Sequence, residues 1–318
     1  MRIIINPRVK RYNCIVNIIF FGSDPWFSPP VLEAILEAGY EVPVAITKGQ
    51  GLEAKGQGKT KIIQAKTAKD ILRFTIYDLR FTNGDRPDAI VLSAFGPPFL
   101  PVEILKWPKY GCLNVHASLL PRWRGASPVF GALANGDKET GVSIMRMTEK
   151  VDRGPILGQV KTLIKSDLTR ESLTRHLGIL GGKLIVETLK RLENGQINEI
   201  RQLPKSPTPY THRLTKDSGR IDWQKFPEET WPERSRRLER FIRAVTPWPG
   251  AWTNGRWMMD DGRWQEIKNI KILKAHLETS QSSTINHQPL TIDFVQLPGK
   301  NPVAWKQFLA GHPNAKLE

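Results

Sequence analysis

The feature that most constrains this chain is a recurrence of short apolar runs, at residues 15–21, 42–46, 89–93, 113–116, 142–145 and 160–164, with helical patterns between several of them. Strands alternating with helices build an open, mostly parallel sheet. The intervening text agrees. Residues 22–28 read as a turn, Pro29 and Pro30 suit a first helical turn, and Val31, Leu32, Ile35 and Leu36 recur at helical spacing. Gly39 then supplies a left-handed stop. Over residues 170–193 the leucines and isoleucine at 173, 177, 180, 184, 185, 189 and 192 predict a long helix capped by Thr169 and ended at Gly195. The expected class is α/β, with an open, mostly parallel sheet covered on both faces.

A change of texture follows. Pro204, Pro207 and Pro209 among Lys, Ser and Thr mark residues 198–211 as an exposed linker. A first domain over 1–197 and a second, smaller one over 212–318 are therefore expected, a division that 318 residues readily allow. In the second part a basic amphipathic stretch at 234–243 and strand-like pieces at 271–273 and 291–295 predict a small β barrel with one helix. Residues 50–61, rich in Gly and Lys, read as a mobile loop.

Composition removes several classes. With 40% hydrophobic and 25% charged residues the chain is globular rather than disordered. No apolar run is long enough to cross a bilayer, and the run at 15–21, interrupted by Asn17, reads as a strand rather than a secretory signal. Cys14 and Cys112 stand at no metal or redox spacing, so a reducing, cytoplasmic setting and a metal-free site are expected. The net charge of +16 would draw polyanions, nucleic acid first, although excess charge without a motif serves solubility equally well.

Chemistry concentrates in Asn114-Val115-His116, followed by Ser118-Leu119-Leu120-Pro121-Arg122-Trp123-Arg124-Gly125. On a strand, side chains alternate, so Asn114 and His116 share one face while Leu113 and Val115 take the other. Ligands of open α/β sheets settle at the carboxyl ends of strands, and this pair stands where a strand gives way to a Pro- and Gly-punctuated loop. A lone His is more often structural than catalytic; here its neighbours decide the matter.

Those neighbours resemble the folate-dependent formyltransferases, whose signature joins an Asn-x-His strand to Ser-Leu-Leu-Pro-x-x-Arg-Gly, here complete. The resemblance extends to Gly141-Val142-Ser143-Ile144-Met145 leading to Val151-Asp152-Arg153-Gly154, to Phe20-Phe21-Gly22-Ser23, to Ala94-Phe95-Gly96 and to residues 135–141. It covers nearly the whole chain, because Arg220-Ile221-Asp222-Trp223, residues 246–252 and residues 296–300 resemble the second domain of members that formylate methionine carried by initiator tRNA. The resemblance implies a Rossmann-like, doubly wound first domain and an oligonucleotide-binding-type β barrel after it. It implies 10-formyltetrahydrofolate as formyl donor, initiator methionyl-tRNA as partner, and a monomer. Asn114, His116 and Asp152 would be catalytic; Phe95, Gly96, Pro97, Ser118, Leu119, Leu120, Pro121, Arg122 and Gly125 would meet the folate. For Arg122 and Arg124 an ordinary solvated loop is the alternative to pairing with a glutamate tail.

For tRNA, Lys55, Lys59 and Lys61 are the expected phosphate contacts, with Arg236, Arg240 and Arg243 on the second-domain helix, where a solvated charged face is an equal account. Gly56-Gln57-Gly58 departs from the family, which places an Arg between the glycines. Two other readings share these residues. A sugar-nucleotide N-formyltransferase would use the same folate and the same three side chains on another amine, and a catalytically inactive tRNA-binding protein would keep the basic surface alone.

Overall fold

The computed structural model describes residues 17–48, 60–65, 86–96, 100–223, 231–259, 261–278 and 290–317. The expectations placed on Pro97, Lys55, Lys59 and the Gly56-Gln57-Gly58 departure lie outside them. Two compact units are formed, one from residues 1–124, 141–161 and 174–209, the other from residues 125–140, 162–173 and 210–318.

The first sheet has seven strands: β1 (Asn17–Gly22), β2 (Glu41–Thr47), β3 (Lys61–Gln64), β4 (Ala89–Ser93), β5 (Cys112–His116), β6 (Glu139–Arg146) and β7 (Ile156–Leu163). Their order is β3-β2-β1-β4-β5-β6-β7. The pairs from β3 across to β5 are parallel, and β6 reverses to run antiparallel to β5. β7 begins earlier than its apolar run suggests because exposed and covered residues alternate along it from Gly158 onward, as in a strand with one wet face. The strand order changes direction between β1 and β4, which opens a crevice at their carboxyl ends.

Helices α1 (Ser28–Glu37), α2 (Val102–Lys106), α3 (Pro128–Asn135), α4 (Arg170–Glu193), α5 (Trp231–Val245) and α6 (Trp305–Gly311) follow in chain order. The β1–α1 turn is closed by Asp24, whose Oδ1 accepts the N–H groups of Trp26 and Phe27 at 2.9 and 2.8 Å. Ser28 at the start of α1 donates its hydroxyl to Ser93 O at 2.7 Å, which ties this turn to the end of β4. Helix α4 starts with a reciprocal cap: Thr169 Oγ1 accepts from Ser172 N–H and Ser172 Oγ from Thr169 N–H. Among the described residues no helix is long and apolar enough to cross a membrane.

One face of the first sheet buries Ile19, Phe21, Val44, Ile46, Ile90, Leu92 and Cys112 in a single apolar cluster with Leu100 and Ile104. The other face meets α4, where the absence of a side chain at Gly181 lets Val115, Val142 and Phe27 close in. Each fully covered Ile or Leu contributes roughly 1.5–3 kcal/mol, so the two faces fix the strand register firmly.

The second sheet has five strands in the order β11-β10-β9-β8-β12, all pairs antiparallel: β8 (Ala251–Met258), β9 (Trp264–Leu277), β10 (Leu290–Gln296), β11 (Val303–Ala304) and β12 (Lys316–Leu317). The apolar stripe of α5, Leu238, Ile242 and Val245, shares one core with Ile267, Ile270, Ile272, Val295 and Phe308.

Candidate active site

Strand β5 delivers two of the three expected side chains. Asn114 lies between Leu92 of β4 and Met145 of β6, and His116 lies beside Ser143 of β6. Both project from the face opposite Val115, as the alternation predicts. Asn114 is half-buried and His116 buried.

The imidazole of His116 sits between two oxygens. Its Nδ1 is 3.8 Å from Asp152 Oδ1, and its Nε2 is 3.2 Å from the carbonyl of Trp123. A carbonyl only accepts, so Nε2 carries the hydrogen and donates it; Nδ1 is left as the nitrogen that gains or loses a proton, facing a carboxylate. At 3.8 Å the two make no direct hydrogen bond, and the carboxylate is placed to attract the ring once Nδ1 has taken up a proton. Asp152 is buried and adopts a left-handed backbone, φ 51°. Two residues on, Gly154 is required by proximity, since a Cβ there would lie 1.7 Å from Arg146 O. The sequence order Asp-x-Gly thus reflects a turn folded tightly onto β6.

The loop after β5 is held by a polar network rather than left open. Ser143 Oγ donates to Ser118 O at 2.6 Å and accepts the N–H of Leu120 at 3.0 Å, while Gln159 Nε2 donates to Leu120 O at 2.9 Å and to Ser143 Oγ at 2.8 Å. Ser118 Oγ donates to Arg122 O, and Ser206 Oγ to Pro121 O. The N–H groups of Ser118 and Arg122 are taken by His116 O and Leu119 O. Several polar groups of the loop expected to meet the folate thus make hydrogen bonds within the protein. Leu119 packs beside Gly141, and Gly125, at φ 108°, lies where a Cβ would stand 2.1 Å from Thr211 O. Arg122 faces the Trp123 ring at 5.8 Å.

Arg124, for which the sequence left a solvated loop and a glutamate-tail contact open, is fully buried. Ser143 stood in a motif without a role and Gln159 was not singled out; only the fold brings them to the loop.

At the end of β4, Phe95 packs edge-on against Phe21 at 5.0 Å, with Lys48 Nζ 4.0 Å from its ring centre. The same ammonium donates to Gly96 O, so this turn is pinned at the strand ends. Cys112 is buried beneath, its thiol directed at Ile104 O at 3.4 Å, and burial pushes that thiol up to about 12.

The cations expected to meet tRNA divide. Lys61 is exposed on β3 and Arg236 half-buried on α5. Arg240 donates to Glu233 at 2.9 Å and lies against Gly136; Arg243 pairs with Glu239 and donates to Leu168 O at 2.8 Å. The last two are held within their own unit, because their carboxylate partners lie on the same helix.

Comparison with known proteins bears on this arrangement. Residues 78–189 match the family described as "Formyl transferase" and residues 213–313 the one described as "Formyl transferase, C-terminal domain", so the chain is a formyl transferase in both its parts. It is 35% identical over 320 aligned positions to the methionyl-tRNA formyltransferase of Gluconobacter oxydans, covering 95% of this chain and 98% of that one. The chain belongs to the methionyl-tRNA formyltransferase family. Among solved structures, HypX from Aquifex aeolicus in complex with tetrahydrofolic acid matches with a TM-score of 0.59 at 15% identity, over 92% of this chain and 46% of that one. The N-formyltransferase from Helicobacter canadensis, captured with folinic acid and dTDP-3-aminofucose, matches with a TM-score of 0.56 at 16% identity, over 89% and 95%. These two share the fold.

Proposed function

We propose that this chain transfers the formyl group of 10-formyltetrahydrofolate to the free α-amine of methionine carried by initiator tRNA. The observation that carries this reading is the gathering of His116 and Asp152, 3.8 Å apart, at the end of the strand that presents Asn114, in a chain of the methionyl-tRNA formyltransferase family.

In the reaction a bond forms between the methionine nitrogen and the formyl carbon, the bond from that carbon to the folate nitrogen breaks, and one proton passes from amine to leaving nitrogen. His116 Nδ1 takes the proton from the attacking amine and returns it to the departing nitrogen, a role typically worth about 10²–10⁴ in rate. Asp152 steadies the imidazolium between those transfers. Asn114 donates its amide hydrogen to the formyl oxygen as charge builds there; losing one such donor commonly costs roughly 3–4 kcal/mol. Phe95, braced by Phe21 and Lys48, offers a flat apolar surface at the strand ends that suits the face of a pterin. Lys61 and Arg236, with Lys55 and Lys59, are the proposed phosphate contacts.

Competing acceptors test the reading. Purified protein supplied with 10-formyltetrahydrofolate should formylate methionyl initiator tRNA and leave amino-sugar nucleotides untouched. Transfer to the sugar alone would replace this reading with the alternative one, and tRNA binding without transfer to either would make the chain a binding protein.

A further inference from the structure

We infer that Arg124 and Gln202 are positioning residues for the proton-transfer site, and that the proline-rich stretch at 202–208 is a clamp holding both neighbours of His116. The inference rests on the formyl-transfer reading for its kinetic consequence and on geometry for everything else.

Arg124 has no exposed surface, and a guanidinium removed from water costs several kcal/mol unless its donors are satisfied. Its Nε donates to Asp152 O at 3.0 Å, its Nη2 to Gln202 Oε1 and Leu203 O at 2.8 Å each, and its Nη1 to Pro204 O at 3.3 Å. The guanidinium fixes which way the Gln202 amide points, since the oxygen must face it. The amide nitrogen is thereby turned onto Asp152 O at 3.0 Å and Gly154 O at 2.7 Å. Two side chains thus converge on the carbonyl of the one residue whose carboxylate faces His116. Such support matters at Asp152, because a left-handed backbone is disfavoured for a residue with a Cβ.

The other neighbour of His116 is held from the same stretch. Thr208 Oγ1 accepts the N–H of Trp123 at 2.6 Å, and Ser206 Oγ donates to Pro121 O at 2.8 Å. Trp123 is also left-handed, φ 54°, and its carbonyl is the oxygen that fixes the His116 tautomer. Both partners of the imidazole therefore sit on strained backbones whose anchors lie in residues 202–208. The Asp152 carboxyl faces His116 Nδ1 at 3.8 Å and the Arg124 guanidinium holds the Asp152 carbonyl, so displacement of this turn acts directly on that ring nitrogen.

The test uses the full chain with Gln202→Ala and Gln202→Glu. Gln202→Ala removes both donors to the Asp152 turn; Gln202→Glu keeps an acceptor for Arg124 and loses the same donors, so it remains informative should the alanine variant fail to fold. Both variants are expected to lose about ten-fold or more in kcat with KM for folate and tRNA changed less than about three-fold, since small misplacements act on the chemical step. The ring nitrogen resonances of His116 should shift in the substrate-free protein. Unchanged kcat and unchanged His116 resonances in a folded variant, with only a lower Tm, would overturn the inference and leave Arg124 and Gln202 as ordinary structural residues. The spectroscopic arm needs no substrate, so inactivity of the wild-type protein toward methionyl-tRNA would sink the proposed function while still leaving the clamp to be judged.

Discussion

Trp123 and Asp152 flank the His116 ring and ask different things of it: the carbonyl requires a hydrogen on Nε2, and the carboxylate favours one on Nδ1. A ring held this way has one free proton position, which is what a shuttle between two nitrogens needs. Cys112, on the same strand and buried, is a contrasting case. Its thiol is pushed from 9.0 to about 12 by desolvation, so its neutral form favours the folded state below pH 9, and that contribution is lost as pH rises toward 12. Wild-type stability should therefore fall faster than that of Cys112→Ala across this range, by up to roughly 1.4 kcal/mol per pH unit. Urea unfolding at successive alkaline pH values measures this, and parallel curves for the two proteins would refute it. At this scale the Asn114 and His116 pairing was legible because strand alternation is local. The burial of Arg124 was not, because its cover comes from Gln202, Leu203 and Pro204, and a sequence shows an arginine followed by glycine without showing what will fold over it.

Elements explain why the turn carrying Asp152 is where it is. β6 runs antiparallel to β5 and ends with Arg146 opposite Leu113, past Met145 beside Asn114, and the chain then folds back at once. Gly154 makes that possible by lying against Arg146 O. Gly154→Ala should fold, because the turn lies at the end of the sheet, and should lose activity about 10²-fold as the turn moves outward and takes Asp152 with it. Steady-state kinetics with a melting curve checks this; full activity would mean that the turn tolerates displacement. Parallel strands β1, β2, β4 and β5, with α1 and α4, were legible from apolar runs and caps, which depend on neighbours a few residues away; β3 was not, and Lys61, read as loop, starts it. The reversal at β6 was not, because a covered strand has the same composition in either direction. The inward commitment of the 118–122 loop was hidden for a related reason: Ser143 and Gln159 reach it only through strand pairing.

For the molecule as a whole, the net charge of +16 supplies a long-range pull on a polyanion and little information about where it binds. Affinity for tRNA should fall linearly with salt on logarithmic axes, and Lys61→Ala or Arg236→Ala should each flatten that slope by about one. Arg243→Ala should leave the slope alone, since its guanidinium is tied to Glu239 and Leu168. A slope unmoved by the first two and reduced by the third would reverse the assignment. All of this is secondary to the claim that an amide, an imidazole and a carboxylate act on one carbonyl carbon. Single-turnover formyl transfer by His116→Ala at saturating donor and methionyl-tRNA measures that claim most directly. The rate should drop by about 10²–10⁴ with both ligands still bound; a rate within a few-fold of wild type would contradict it.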